Sequence, residues 1–407
     1  MPAFLVHATF IFFTITAVSG LWMRLFPFLA EPTFTYTNVL HGHSHLALLG
    51  WTFLGAFVLF IGLAWKQLTA KREAVAIAIT LFIGTLAMFA AFIYQGYALY
   101  SIIFSTIHIF IEYWAAIFIY RHCKTMNKHS RLYVKGALLS LIISSIGPFA
   151  LGYISATGLK ETKFFDMAIY FYLHFQYNGW LTFILIGSFI AFLYSKKIRV
   201  KPAYLTAGFW LYLIALLPSY LSSVLWALPE PIVHTIATIG VLIQWLAVIL
   251  MIVGMSPMWK QLRGKLPKTI HLLLMVTTLL LLVKSTMELG LAIPQLTGLI
   301  YDTRSIVVGY LHFTLLGFVS IFILVQFQLI GLLPMNRISS IASYIFLFGF
   351  LANEALLFGQ GLCTWLGLPT IPYYLHGLII ASLLLLVGIV LFWIAFLERK
   401  KTINVIE

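Results

Sequence analysis

Twelve apolar runs, each long enough to cross a hydrocarbon core of roughly 30 Å, leave this chain little choice of solvent. They lie at about 3–29, 38–64, 74–95, 97–120, 133–156 and 166–194, then at about 203–226, 231–256, 269–291, 304–333, 339–359 and 371–397. Of 407 residues 62% are hydrophobic and only 9% charged, against about 25% charged in a soluble domain. The predicted fold class is all-α, a polytopic membrane protein of about twelve transmembrane helices. The first run lacks a basic leader and a small-residue cleavage site, so it reads as a retained helix rather than a signal peptide.

Alternate connections are basic: Lys66, Lys71 and Arg72, then Arg121 to Lys135, Lys196 to Lys201, Lys260 to Lys268, Arg337, and Arg399 to Lys401. Together they hold twenty of the 25 Lys and Arg residues, while the opposite side has only Arg24, Lys160, Lys163 and Arg304. The positive-inside rule makes the basic side cytoplasmic and puts both termini there. The expected location is the cytoplasmic (inner) membrane of a bacterium. The formal charge of +14 thus records orientation and attraction to anionic membrane lipid, with no basic face of the kind that reads nucleic acid. Cys123 and Cys363 lie in different loops and build neither a disulfide framework nor a Cys-rich metal site. Residues 1–407 form a single transmembrane domain in this reading.

Three segments share one pattern, His45-Leu-Ala-Leu-Leu-Gly50-Trp51, His174-Phe-Gln-Tyr-Asn-Gly179-Trp180 and His312-Phe-Thr-Leu-Leu-Gly317-Phe318. The copies are 129 and 138 residues apart (174 less 45, and 312 less 174), each separation covering four predicted helices. A repeat dictates architecture, and the twelve helices read as three pseudo-repeated four-helix units, approximately 1–130, 131–260 and 261–407. On a uniform α-helix the His and the Gly of each copy lie about 140° apart and serve different faces. Gly50, Gly179 and Gly317 are read as packing residues that let a neighbouring helix approach.

Eight of the twelve histidines, His41, His43, His45, His108, His174, His234, His312 and His376, fall early in the even-numbered helices and so share a depth near the outer face. His45 and His312 come roughly 10 Å below the outer boundary. His7, His122, His129 and His271 fall at the cytoplasmic side. A lone intramembrane histidine usually ties helices together by hydrogen bonding. A layer of them on alternate helices points instead to a haem or metal held by converging imidazoles. His41 and His45, at i and i+4, share a helix face, whereas His43 points the other way, so one helix can serve two sites.

His108 and Glu112 are also i and i+4; the carboxylate either steadies a ligating imidazole or makes a plain buried hydrogen bond. Lys284 with Glu288 repeats that spacing and reads first as an ion pair, with meeting haem propionates or relaying protons as alternatives. Glu354 lies towards the outer end of helix eleven, and charges so placed should face protein or water. Tyr177 and Asn178 stand beside His174. Tyr177 and Glu112 are the catalytic candidates.

Twelve helices in units of four, with histidines towards the outer ends of helices two, six and ten, resemble the catalytic subunit, subunit I, of haem–copper oxidases and nitric-oxide reductases. His43-Ser-His45-Leu-Ala-Leu-Leu-Gly50 looks like the His-x-His segment with which one helix of that family ligates two haems. In the family that segment lies on helix ten and a single ligand on helix two; here the arrangement is reversed. The resemblance implies that His45 and His312 are axial ligands of a low-spin b-type haem, with His43 the candidate for a second haem and His41, on the His45 face, a further cofactor-binding candidate. It makes His174 a ligand of a non-haem metal, copper or another. Helix seven, Ala203 to Trp226, has no histidine where the family carries a pair, and His234 is a partial substitute, so the copper-site set is incomplete. His108, His376, Lys284, Glu288 and Glu354 form a second tier of polar candidates.

Three functions follow as expectations. The first is a redox enzyme in which electrons from a quinol or a cytochrome reach a haem-centred site that reduces nitric oxide or oxygen, alone or with partner subunits. The second is a non-catalytic haem or metal protein for sensing, electron transfer or the nitric-oxide response, whose membrane proteins the length and the His-x-His also resemble. The third is a twelve-helix secondary transporter, although that class commonly uses inverted repeats or two six-helix halves.

Overall fold

The computed structural model describes Met1–Glu398; Arg399, Lys400 and Lys401, the last basic group of the charge pattern, lie outside the described residues. Among the described residues twelve helices are long and apolar enough to cross a membrane. They are α1 (Ala3–Phe28), α2 (Tyr36–Ala64), α3 (Lys71–Gln95), α4 (Leu99–Thr125), α5 (Lys128–Ala156) and α6 (Lys163–Ser195), followed by α7 (Pro202–Val224), α8 (Pro231–Leu262), α9 (Lys268–Ala292), α10 (Arg304–Leu329), α11 (Arg337–Trp365) and α12 (Tyr374–Leu397). The chain is an all-α polytopic membrane protein.

Local chemistry sets the ends. The Asn127 side chain accepts from Ser130 N at 3.0 Å and that of Asn336 from Ser339 N at 2.9 Å, so α5 and α11 start on amides whose free N–H groups would otherwise face lipid or headgroup. Pro202 and Pro231 open α7 and α8, where a missing N–H costs nothing. Between α3 and α4 the chain turns at Gly96, whose φ of 64° suits a residue without a Cβ.

Two compact units are present: one of Met1–His122, Pro267–Leu273 and the described residues from Leu315 onward, the other of Cys123–Leu266 and Leu274–Thr314. In the first, α2 is the enclosed helix, with 83% of its apolar window buried. Trp51 fixes it there, lying flat on Phe13 with ring centroids 3.9 Å apart and donating its indole N–H to Ser320 Oγ at 2.8 Å. In the second, α6 plays that part, again with 83% buried. Close pairing of α7 with α8 supports it: a Cβ on Gly240 would lie 2.5 Å from Ser219 N and 2.6 Å from the Pro218 carbonyl carbon. Backbone cannot retreat as a side chain can, so Gly240→Ala should cost about 1–3 kcal/mol and lower the Tm in detergent. Gly152→Ala, where nothing lies within 4 Å, should leave it unchanged. Equal melting of both variants would refute this account of the α7–α8 contact.

Candidate functional site

Each copy of the repeated motif breaks the α-helical period. Directly after its histidine the helix widens into a π segment: Leu46–Phe53 after His45, Phe175–Leu181 after His174 and Phe313–Ser320 after His312. A π turn bonds i to i+5, so the 140° separation of His and Gly expected for a uniform α-helix does not carry across it, and the reading of two separate faces is corrected. Hydroxyls serve the loosened carbonyls. Thr52 Oγ1 donates to Leu48 O at 2.6 Å, Thr182 Oγ1 to Tyr177 O at 2.7 Å and Ser320 Oγ to Leu315 O at 2.7 Å. The glycines pack against neighbouring helices as expected: a Cβ would meet Phe12 Cδ2 at 3.1 Å from Gly50, Ser140 Cβ at 2.4 Å from Gly179 and Phe350 Cζ at 2.5 Å from Gly317. Wide turns of this kind recur at functional sites.

In the first unit the three histidines of α2 divide as the spacing predicts. His41 and His45 turn to one side, where His45 stacks on Phe92 (centroids 4.3 Å) and both rings meet Tyr97, at 4.5 Å and 5.8 Å. His43 turns to α1, with Nδ1 3.0 Å from Thr16 O and 3.1 Å from Ser19 Oγ. Gly20 makes room for it, since a Cβ there would lie 3.1 Å from His43 Cε1.

Ring orientation is the informative detail. A carbonyl only accepts, so an imidazole nitrogen bonded to one carries the proton, and the other nitrogen presents its lone pair. His45 Nδ1 donates to His41 O at 2.9 Å, and its Nε2 accepts from the Tyr97 hydroxyl at 3.3 Å. At the same motif position in the second unit, His312 Nδ1 donates to Val308 O at 2.8 Å. Nδ1 of His43 is held by Thr16 O in the same sense. An imidazole so pinned has the tautomer and the rigidity that ligation through Nε2 requires. His43 and His45 in the first unit and His312 in the second are thus each held with the proton on Nδ1.

His174, the third motif histidine, is oriented differently. Its Nε2 donates to Leu216 O at 2.9 Å, and Nδ1 faces the Asn178 side-chain amide at 3.1 Å. Asn178 Oδ1 in turn accepts from Lys284 Nζ, which also reaches Glu288 Oε1 at 2.7 Å. The Tyr310 hydroxyl donates to the same carboxylate oxygen, and Gln244 Nε2 donates to Glu288 Oε2 at 3.3 Å and lies 3.1 Å from the Tyr212 hydroxyl. Lys284 has no exposed surface, Tyr177 is buried, and the Tyr177 and Tyr310 rings lie 5.6 Å and 5.9 Å from the ammonium. Second-unit residues of five helices, α6 to α10, thus converge on one buried charge pair.

The remaining candidates lie apart. His108 spends both ring nitrogens, on Glu112 at 2.8 Å and on Thr85 Oγ1 at 2.9 Å, in a fully buried bond. His234 stands in the first turn of α8, its Nε2 buried without a hydrogen-bonding partner. Glu354 Oε1 accepts from Asn353 at 3.0 Å while Oε2 is buried and unbonded. His376 is exposed, beside Phe28 and Tyr373. Among the described residues no group of three or more His, Cys, Asp or Glu side chains is arranged to hold a metal ion.

Sequence reasoning passed over Gln244, Tyr310, Tyr212 and Tyr97. Gln244 had a signal, a lone amide in an apolar helix, and so had Tyr310, in the Tyr-Leu shared by the second and third copies ahead of the histidine. The chain matches no protein-family model and none of the curated proteins with which it was compared.

Proposed function

We propose that this membrane protein binds b-type haem through histidine Nε2 and acts in redox chemistry, on the plan of haem–copper oxidase subunit I. One observation carries the reading: His45 and His312, at the same place in two motif copies, each have Nδ1–H fixed by the carbonyl four residues earlier. That bond sets the tautomer and stops ring rotation, so the lone pair of Nε2 keeps one direction. Haem iron, when bound, takes up and gives back one electron. His43, held by Thr16 and Ser19 on the opposite side of α2, is the candidate for a second haem.

The π segment after every copy supports the three-unit reading of the twelve helices. Charge asymmetry supports a bacterial inner membrane with both termini inside. A quinol or a cytochrome is the electron donor in this proposal.

The test is the reduced-minus-oxidised optical spectrum of the purified full-length protein, with haem quantified as its pyridine complex. A b-type spectrum in stoichiometric amount is expected. Folded protein that stays free of haem when expressed with ample haem supply would overturn the proposal.

A further inference from the structure

We infer that the place on α6 where the oxidase plan would set a non-haem metal is filled by a cation of the protein itself, the ammonium of Lys284, so that redox chemistry is left to haem alone, one electron to each. The metal part of the inference concerns the second unit alone; the one-electron part rests on the haem proposal above.

A metal ligand needs a lone pair aimed at a vacancy. His174 donates Nε2–H to Leu216 O at 2.9 Å, and its lone pair on Nδ1 accepts from the Asn178 amide at 3.1 Å, an amide held in place by Lys284, whereas the lone pair of His45 faces only the Tyr97 hydroxyl at 3.3 Å. Helix α7 seals the Nε2 side. Pro218 lies inside α7, which tightens to a 3₁₀ turn over Leu221–Val224, and here the Leu216 carbonyl and Ser219 Oγ, 3.4 Å from Nε2, face the ring. His234 Nε2, on α8, makes no hydrogen bond to any group of this network.

The Nδ1 side is closed by charge. Asn178 relays His174 to Lys284, whose Nζ is bonded to Asn178 Oδ1 and to Glu288 Oε1. A divalent ion displacing the Asn178 amide from Nδ1 would stand one side chain away from a fully buried ammonium, where low dielectric leaves like charges unscreened. Glu288 cannot serve such an ion either, because Lys284, Tyr310 and Gln244 already donate to its two oxygens. His174 thus anchors the ion pair to α7 through hydrogen bonds on both sides of its ring. Without a non-haem metal at His174, each haem the chain holds exchanges a single electron.

Metal analysis tests this on the wild-type protein. The purified protein would be incubated with Cu(I), Zn(II) or Fe(II), passed through a desalting column and analysed for total metal and haem. Iron equal to haem is expected, with no other metal retained above the level of a His174→Gln variant, and a reductive titration should take one electron per haem. One equivalent of non-haem metal that disappears in His174→Gln would overturn the inference, as would further electrons beyond the haem count. Haem-free protein that also retains no metal would sink the haem proposal and the one-electron role while sustaining the assignment of Lys284.

Discussion

Lys284→Ala is expected to lose about 3–5 kcal/mol of stability, the range for breaking a buried ion pair from one side. Glu288 would keep Tyr310 and Gln244 as donors, yet its charge would remain in a site shielded from water with no counter-charge. Asn178 Oδ1 would lose its donor as well, and through Asn178 the His174 ring would lose its anchor. Size-exclusion profiles and thermal melting in mild detergent should show most of the protein aggregated or melting far below wild type. Lys284→Met combined with Glu288→Gln removes both charges, keeps an acceptor for Tyr310, and should restore the profile, because replacing a buried pair as a whole is often neutral. A single variant as stable as wild type would mean that water reaches this pair and that the network is not the closed unit described.

His45→Ala and His312→Ala carry the second large effect. Each removes an imidazole whose Nδ1–H is pinned four residues back, so each should abolish the six-coordinate low-spin spectrum or the haem content altogether. His108→Ala removes a histidine bonded on both nitrogens, and should leave the spectrum intact while lowering stability. Optical spectra of the variants against protein concentration decide this. Low-spin haem retained in both His45→Ala and His312→Ala would remove these two residues from the ligand set.

How much of this was legible in the sequence depends on the range of the forces involved. The spans were, because a roughly 30 Å apolar layer demands about twenty apolar residues per helix, and Tyr36–Ala64 or Lys163–Ser195 satisfy that locally. The division of His41 and His45 from His43 was legible too, since helical geometry alone separates them. So was Lys284 with Glu288, one turn apart. The π turns were not: they arise where helix packing against Gly50, Gly179 and Gly317 and the hydroxyls of Thr52, Thr182 and Ser320 together outweigh the α-helical hydrogen bonds. Nor was the link from Lys284 to Asn178, 106 residues away in the chain, because only tertiary packing brings α6 and α9 together there. Ring orientation was equally hidden. Identical motif positions hold His45 and His312 by Nδ1–H on the carbonyl four residues back but His174 by Nε2–H on Leu216 O, a difference decided by α7 rather than by the motif.

The most direct test of the central claim is paramagnetic resonance of the oxidised protein, purified from cells fed histidine labelled with ¹⁵N in the imidazole ring. Nitrogen hyperfine spectra of a low-spin ferric signal should change on labelling, as ligation through histidine Nε2 requires. A high-spin ferric signal unaffected by the label, or folded protein without haem iron, would contradict the account.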